Sequence, residues 1–254
     1  MKVTVFRRGM LVAALAVLAT TASLSPGMAT AQQSSDSYFR ITPYLWMLGM
    51  DGTTAVLGQD TPVDASFGDI LDVLNIALSV NMEWNTRSNW FFVLDPLYAD
   101  LESDFSTPGP LPITGKIEIK LIIADALIGY ELNEVFDIYT GARYYDQDIT
   151  IIPSLLPAEP SLGDSWTDYV LGFRAHTQLG EKWSLGGRLD GAVAGDSDSA
   201  WYLQAVFMRH FGENMHLDLG WRYYDVDYVS GTGVSTFKWD VAQSGPVVGF
   251  SWQF

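Results

Sequence analysis

The chain has 254 residues, no cysteine, and 30 acidic against 14 basic residues, a formal net charge of −16 at pH 7. Zero cysteines exclude a disulfide framework and thiolate metal sites, and so acidic a chain lacks the basic face that binding to nucleic acid needs. Its 9 Trp, 12 Tyr and 13 Phe are many for that charge, which suggests apolar surface turned toward lipid and charge gathered elsewhere.

The N-terminal segment reads as a targeting signal. Lys2, Arg7 and Arg8 form a positive n-region, 10–24 is apolar and uncharged, and Pro26 and Gly27 break that stretch. Ala29, Thr30 and Ala31 then supply the small-x-small pattern of a cleavage site. The apolar core is too short for a bilayer-spanning helix. Cleavage is therefore expected after Ala31, which makes 1–31 a signal peptide for export through the inner membrane, 32–37 a short periplasmic segment and 38–254 the folded part. The mature chain, 32–254, keeps 11 basic against 30 acidic residues.

Past residue 31 there is no run of 18 uninterrupted apolar residues, so no membrane-spanning helix is expected. Apolar and polar residues alternate instead, as they must in a barrel strand whose neighbouring side chains point to lipid and to lumen in turn. Candidate strands fall near 38–50, 75–86, 90–104, 114–130, 135–149, 165–179, 183–195, 201–211, 215–229 and 238–254. Tight turns at 86–89, 132–134, 180–182 and 212–214 alternate with loops near 51–74, 105–113, 150–164, 196–200 and 230–237. Short turns on one side and longer loops on the other is the asymmetry of outer-membrane barrels, with the turns periplasmic. Phe39, Trp84, Trp90, Tyr130, Phe136, Trp183, Phe211 and Phe254 gather near the turn end, and Tyr98, Tyr144, Trp201 and Tyr223 toward the loop end. Two such belts match the two interfaces of a bilayer. The expected fold is all-β, a transmembrane antiparallel up-and-down β-barrel of about ten strands, with eight or twelve as alternatives. Pro43, Pro96 and Pro246 inside strands suggest bulges, and the alternation in 114–130 loses phase between Ile123 and Asp125. The first loop fits either a hairpin extending the barrel or a short helix over its mouth.

The terminal Gly249, Phe250, Ser251, Trp252, Gln253 and Phe254 resemble the C-terminal assembly signal of Gram-negative outer-membrane proteins, with Phe250, Trp252 and Phe254 as its hydrophobic positions. Four further stretches, Thr42 to Trp46, Val63 to Leu71, Trp221 to Tyr228 and Ser244 to Gly249, resemble a family of proteobacterial barrel proteins of largely uncharacterised role. A broader likeness is to small OmpW-type barrels, which are associated with passage of small apolar molecules. The resemblance implies contact with outer-membrane lipid and lipopolysaccharide and insertion by the barrel assembly machinery. It attaches no catalytic role or cofactor to these residues.

Strand by strand, the charges on the lumen phase are Arg40, Glu83, Asp95, Glu118, Lys120, Asp125, Arg143, Arg174, Arg188, Asp190, Asp218 and Arg222. Balanced signs in a narrow interior predict paired, hydrogen-bonded charges, since an unpaired one is costly there. A salt-bridged plug is the leading expectation, with a narrow polar conduit, a channel for small apolar solutes or loop-mediated extracellular binding as alternatives. No enzyme is expected. Omptin-type proteases place Asp/His groups at the extracellular rim, whereas His216 and Asp218 directly follow a turn, His210 is near the same end, and His176 lies in the lower half of its strand. No dedicated metal site is expected, although acidic loops, with Asp196 and Asp198 foremost, could hold Ca²⁺ or Mg²⁺ weakly.

Overall fold

A computed structural model describes residues 37–56, 59–106, 114–154 and 161–254. The expected signal peptide and its cleavage site lie outside the described residues. In chain order come β1 (Tyr38–Trp46), β2 (Gly49–Val56), β3 (Gln59–Ala65), α1 (Phe67–Val73), β4 (Leu74–Asn85), β5 (Trp90–Ser106) and β6 (Thr114–Glu131). There follow β7 (Phe136–Pro153), β8 (Ser161–Gln178), β9 (Trp183–Gly195), β10 (Ser199–His210), β11 (Met215–Ser230) and β12 (Phe237–Gln253). Both elements weighed for the first loop are present, the β2–β3 hairpin and then α1.

β1 and β2 act as one strand. Both pair with β12 in a single register, Arg40 opposite Gln253 at one end and Ala55 opposite Lys238 at the other. The interruption at Met47 and Leu48 faces Pro246 and Gly245. Pro246 has no N–H to donate, but its carbonyl accepts from Met47 N at 2.8 Å. A Cβ on Gly245 would stand 2.0 Å from the Met47 carbonyl oxygen, so the two backbones can approach only where a side chain is missing. With β3 counted as a side branch of β2, β1 and β4 to β12 form a closed antiparallel circuit of ten strands. The expected bulges at the prolines do not occur. Each proline interrupts hydrogen bonding without changing the register around it, and the register shifts fall elsewhere, between Leu74 and Ile76 and between Tyr169 and Val170.

The phase within β6 also differs from expectation. Odd-numbered residues point inward along the whole strand, Leu121 and Leu127 being buried along with Asp125, so there is no slip between Ile123 and Asp125. The apparent slip arises because the strand outruns the bilayer. β6, β7 and β8 each have 18 residues, against about 9–11 needed to cross the hydrocarbon. Above the membrane the outer face meets water and the inner face is packed, so the polarity of the two faces reverses while the alternation continues.

The belts mark where that reversal begins. Trp84, Trp90, Phe136 and Trp183 are exposed on the outer face near the turns, and Tyr144 and Tyr169 near the loops. Tyr98, Tyr144 and Tyr223 each donate a hydroxyl hydrogen bond to the aspartate two residues toward the loop side, Asp100, Asp146 and Asp225, at 3.5, 3.2 and 2.9 Å. Each ring thus lies on the apolar side of the interface and its hydroxyl on the wet side. The free edge of β3 carries Pro62, Asp60 and Asp64, a combination of proline and charge that discourages pairing with another chain.

The barrel closes at the turn end through reciprocal bonds, Phe39 N to Phe254 O at 3.1 Å and Phe254 N to Phe39 O at 2.8 Å. The Phe254 side chain is 76% exposed beside that seam. Phe254→Asp leaves the backbone bonds intact but puts a charge at the interface of the closing strand. The expected outcome is loss of most heat-modifiable, protease-resistant barrel from outer-membrane fractions. Wild-type levels of folded protein would contradict it.

Candidate functional site

The barrel interior has two tiers. The lower one, spanning the membrane, is ionic. Near the turn end Glu83 accepts from Arg40 Nη2 at 2.8 Å, from Arg174 Nη1 at 2.5 Å and from Asn85 Nδ2 at 2.7 Å, while Arg174 Nε reaches Asp137 at 3.0 Å. The Arg174 guanidinium also lies 3.8 Å over the centre of the Phe91 ring. That ring occupies the space above Gly129, where a Cβ would come within 2.0 Å of it.

One layer higher, Arg143 forks onto two carboxylates. Its Nε and Nη2 donate to Asp125 at 2.6 and 3.0 Å, and its Nη1 and Nη2 to Asp190 at 2.8 and 3.2 Å. Arg188 Nη2 binds the same pair at 2.6 and 2.9 Å, and Tyr139 donates to Asp190 at 2.6 Å. These residues come from β6, β7 and β9, so the bonds tie several strands of one side of the barrel together rather than run along one strand. A third group joins Arg222, Tyr44 and Asp95. Arg222 Nη1 donates to the Tyr44 hydroxyl at 3.0 Å, Tyr44 donates to Asp95 at 2.7 Å, and Asn81 Nδ2 donates to Asp95 at 3.1 Å. Bidentate arginine–carboxylate pairs are the strongest of the charge-assisted bonds, and they offset desolvation only when their geometry is good. Five arginines face five carboxylates in these three groups, so the charges within them balance.

Of the twelve charges expected on the lumen phase, ten lie on the inner face, and Lys120 and Glu118 do not. Both lie on the outer face of β6 above the upper belt, 4.0 Å apart, with the Lys120 side chain 52% exposed. They are removed from the lumen by the continuous phase described above. Asp218 is inward but joins no arginine, and instead accepts from Ser251 at 2.9 Å. Two further buried carboxylates lie on the inner face. Asp137 shares the phase of Arg143 and Asp168 that of Arg174, each an even number of residues away, and that spacing was the available signal. Asp168 accepts from the backbone N–H groups of Asp196 and Ser197 at 3.1 and 3.0 Å, fixing the β9–β10 loop.

The upper tier is apolar and aromatic. Tyr145, Trp166 and Tyr228 form a stack with ring separations of 4.7 and 4.1 Å. Trp46, Leu48, Met50, Leu101 and Leu121 pack in the same cluster. At its top Tyr228 and Ser230 donate to Asp164. Burial works against ionisation of Asp164, but these hydroxyls and the Ser165 N–H outweigh it and hold the carboxyl below its usual range.

The wall beside this tier is divided. β1 and β4 pair only as far as Pro43 opposite Val80. Beyond that point β1 and β2 follow β12, while β4 follows β5. The Ser79 hydroxyl donates to the Tyr44 carbonyl across the divide. α1 closes it from above, in contact with β2, β3 and β5. A capping box starts the helix, with Ser66 N donating to Asp69 at 2.9 Å and Asp69 N to the Ser66 hydroxyl at 3.3 Å. Ile70 on its inner face is buried in the apolar cluster, whereas Leu71 is exposed. Asn75, Ile76, Ala77 and Leu78 of β4 are all exposed, so neither face of this stretch is covered. Elsewhere the outer face above the belt carries charges such as Asp100, Glu118, Asp146 and Asp227, whereas beside the divide it carries Leu71, Ile76 and Leu78.

The histidines lie at the turn end. His210 is 2.8 Å from the Ser184 hydroxyl, and His216 is 3.4 Å from Asp218. His176 is half-exposed, 4.0 Å from Asp137. At the other mouth, Asp196 accepts from Thr167 N at 3.2 Å. Among the described residues no three His, Asp or Glu side chains converge as metal ligands, Asp196 and Asp198 included.

Neither protein-family models nor curated proteins give a match to this sequence. Solved structures do. The outer-membrane protease OmpT of Escherichia coli is similar over 89% of this chain and 99% of its own, with a TM-score of 0.60 and 8% identity. The fold is that of an outer-membrane β-barrel. The translocator domain of the autotransporter NalP from Neisseria meningitidis covers 98% of this chain and 96% of its own at a TM-score of 0.47 and 12% identity. Ail of Yersinia pestis covers 86% and 99% at 0.36 and 10%. At 8% identity the likeness to OmpT shows the architecture alone and leaves the specific role to this chain's own residues.

The central fork is open to a direct measurement. Arg143→Ala leaves Asp125 and Asp190 underpaired and is expected to cost on the order of 3–5 kcal/mol in reversible urea unfolding of the folded barrel. Lys120→Ala, on the outer face, is expected to change stability by less than about 0.5 kcal/mol. Equal effects from the two substitutions would contradict the phase assigned to β6.

Proposed function

We propose that this chain is a non-enzymatic outer-membrane barrel that takes up small apolar molecules into its upper chamber through the divide between β1 and β4, while its ion-pair layer keeps the lumen closed to ions. The observation that carries this reading is the separation of the two ladders above Pro43 and Val80 beside an apolar interior. A hydrocarbon-like molecule leaving the outer leaflet would meet an apolar interior that includes Trp46, Leu97 and Leu121. An ion moving down the axis would have to displace the bonds between Arg143, Arg188, Asp125 and Asp190, each closer than 3.3 Å. The apolar outer face at Leu71, Ile76 and Leu78 suits an approach from lipid, where a charged face would repel it.

A non-enzymatic role is supported by where the nucleophile candidates lie. Ser184 is buried, and its partner His210 faces the turn end, which is the periplasmic end by the asymmetry of such barrels. A hydrolytic pair there could not reach an extracellular substrate.

Two measurements test the proposal together. Reconstituted in planar bilayers, the barrel should give no persistent discrete openings, and in detergent it should bind an apolar fluorophore saturably. Leu97→Trp overfills the chamber at a cost of about 1–3 kcal/mol and should weaken that binding by about tenfold. Steady ion conductance, or fluorophore binding indifferent to Leu97→Trp, would count against the reading.

A further inference from the structure

The boundary between the two tiers is chemically distinct from the apolar cluster above it. A small cavity lies where the two tiers meet, lined by Tyr44, Trp46, Leu97, Ile123, Tyr202 and Tyr224 together with Asp95, Asp125, Arg143 and Arg222. It offers space for about one water molecule. Two of the residues lining it, Trp46 and Arg222, are only 7% and 6% exposed, and each keeps a donor without a hydrogen-bond partner, Trp46 Nε1 and Arg222 Nε. The Arg222 guanidinium carbon lies 5.2 Å from the centre of the Trp46 ring, so the two residues are neighbours on the cavity lining.

Buried donors without acceptors are rare and destabilising, and a native protein that keeps two in one cavity has a use for them. The remaining Arg222 contacts do not supply an acceptor for Nε, since Nη1 is bound to Tyr44 and Nη2 stands 3.8 Å from Asp95. The charges on the lining are balanced, Arg143 and Arg222 against Asp95 and Asp125. A carboxylate brought in would be a buried charge with no counter-ion of its own, which is costly. A neutral oxygen meets the need, because its two lone pairs can accept from both donors at no charge cost.

We propose that the chamber recognises apolar molecules bearing one neutral hydrogen-bond acceptor, a carbonyl, ester or ether oxygen, with that oxygen set between Trp46 Nε1 and Arg222 Nε and the apolar body against the rings above. This rests on the proposed uptake into the upper chamber and adds to it a polarity requirement. Tyr44 and Trp46 are also the first inward residues of β1 above the Pro43–Val80 pair, so the acceptor site lies at the foot of the divide. A water molecule suits the same donors, and the ligand's oxygen would replace it.

Displacement of an apolar fluorophore from the folded, detergent-solubilised full barrel gives the test, with concentrations corrected for partitioning into micelles. The two probes are acetophenone and α-methylstyrene, which are alike in shape and differ by a carbonyl oxygen against a methylene. Wild type is expected to favour acetophenone by about three- to tenfold, the worth of a net hydrogen bond. Trp46→Phe keeps an aromatic ring but removes the donor, and is expected to shrink that preference by at least half, whatever it does to the affinity for both probes alike. Equal affinity for both probes in wild type would overturn the acceptor requirement and leave uptake standing. A preference unchanged in Trp46→Phe would overturn the assignment of the donor. Failure of both probes to bind would overturn uptake itself, and this inference with it.

Discussion

In the hydrocarbon of a bilayer every backbone N–H and C=O must find its partner within the protein, because no water is there to serve. A sheet meets that demand only by closing on itself. Here closure is made by β1 against β12, from Arg40 opposite Gln253 upward and sealed at the turn end by the Phe39–Phe254 pair. The same constraint dictates where the wall can divide. β1 and β4 separate above Val80, and Leu78 of β4 lies opposite Tyr98, a member of the upper belt. The ladder therefore opens where lipid tails give way to head groups and water can begin to satisfy the backbone.

The two tiers follow from that geometry. Within the membrane the outer face must be apolar, so polar residues collect inside, and in a lumen this narrow they must neutralise one another. Above it the outer face is wet, and the strands behave like those of a soluble barrel, with carboxylates outside and Tyr145, Trp166 and Leu121 within. The boundary between tiers is a junction of unlike environments, and there Trp46 and Arg222 retain donors that neither side satisfies.

Much of this was legible from the sequence. The ten strands, the alternation of turns and loops and both belts follow from periodicity alone, and the lumen charges follow once each strand's phase is known. Lys120 departs from expectation because an inward residue is polar only within the membrane, and above it the rule reverses. Asp137 stands next to a turn, where alternation is short, although it shares the phase of Arg143. The first loop stayed ambiguous because its hairpin and helix are stabilised by distant partners, β12 for the one and the interior cluster for the other. The proline positions misled because a missing N–H interrupts hydrogen bonding without requiring an extra residue.

The arginine forks have a mechanical consequence. Arg143 ties β7 to β6 and β9, and Arg174 reaches from β8 across to β4. Such ties act as spokes, resisting flattening of the cross-section as well as separation of neighbouring strands. A split in the upper wall tends to run downward like a tear in cloth, one ladder pair after another. In this barrel it would soon meet Arg40 bound to Glu83, which stitches β1 to β4 across the very seam that parts above. The lower layer is thus a hem. Below it the cylinder keeps its shape, and above it the two lips of the wall can move apart without unravelling the whole.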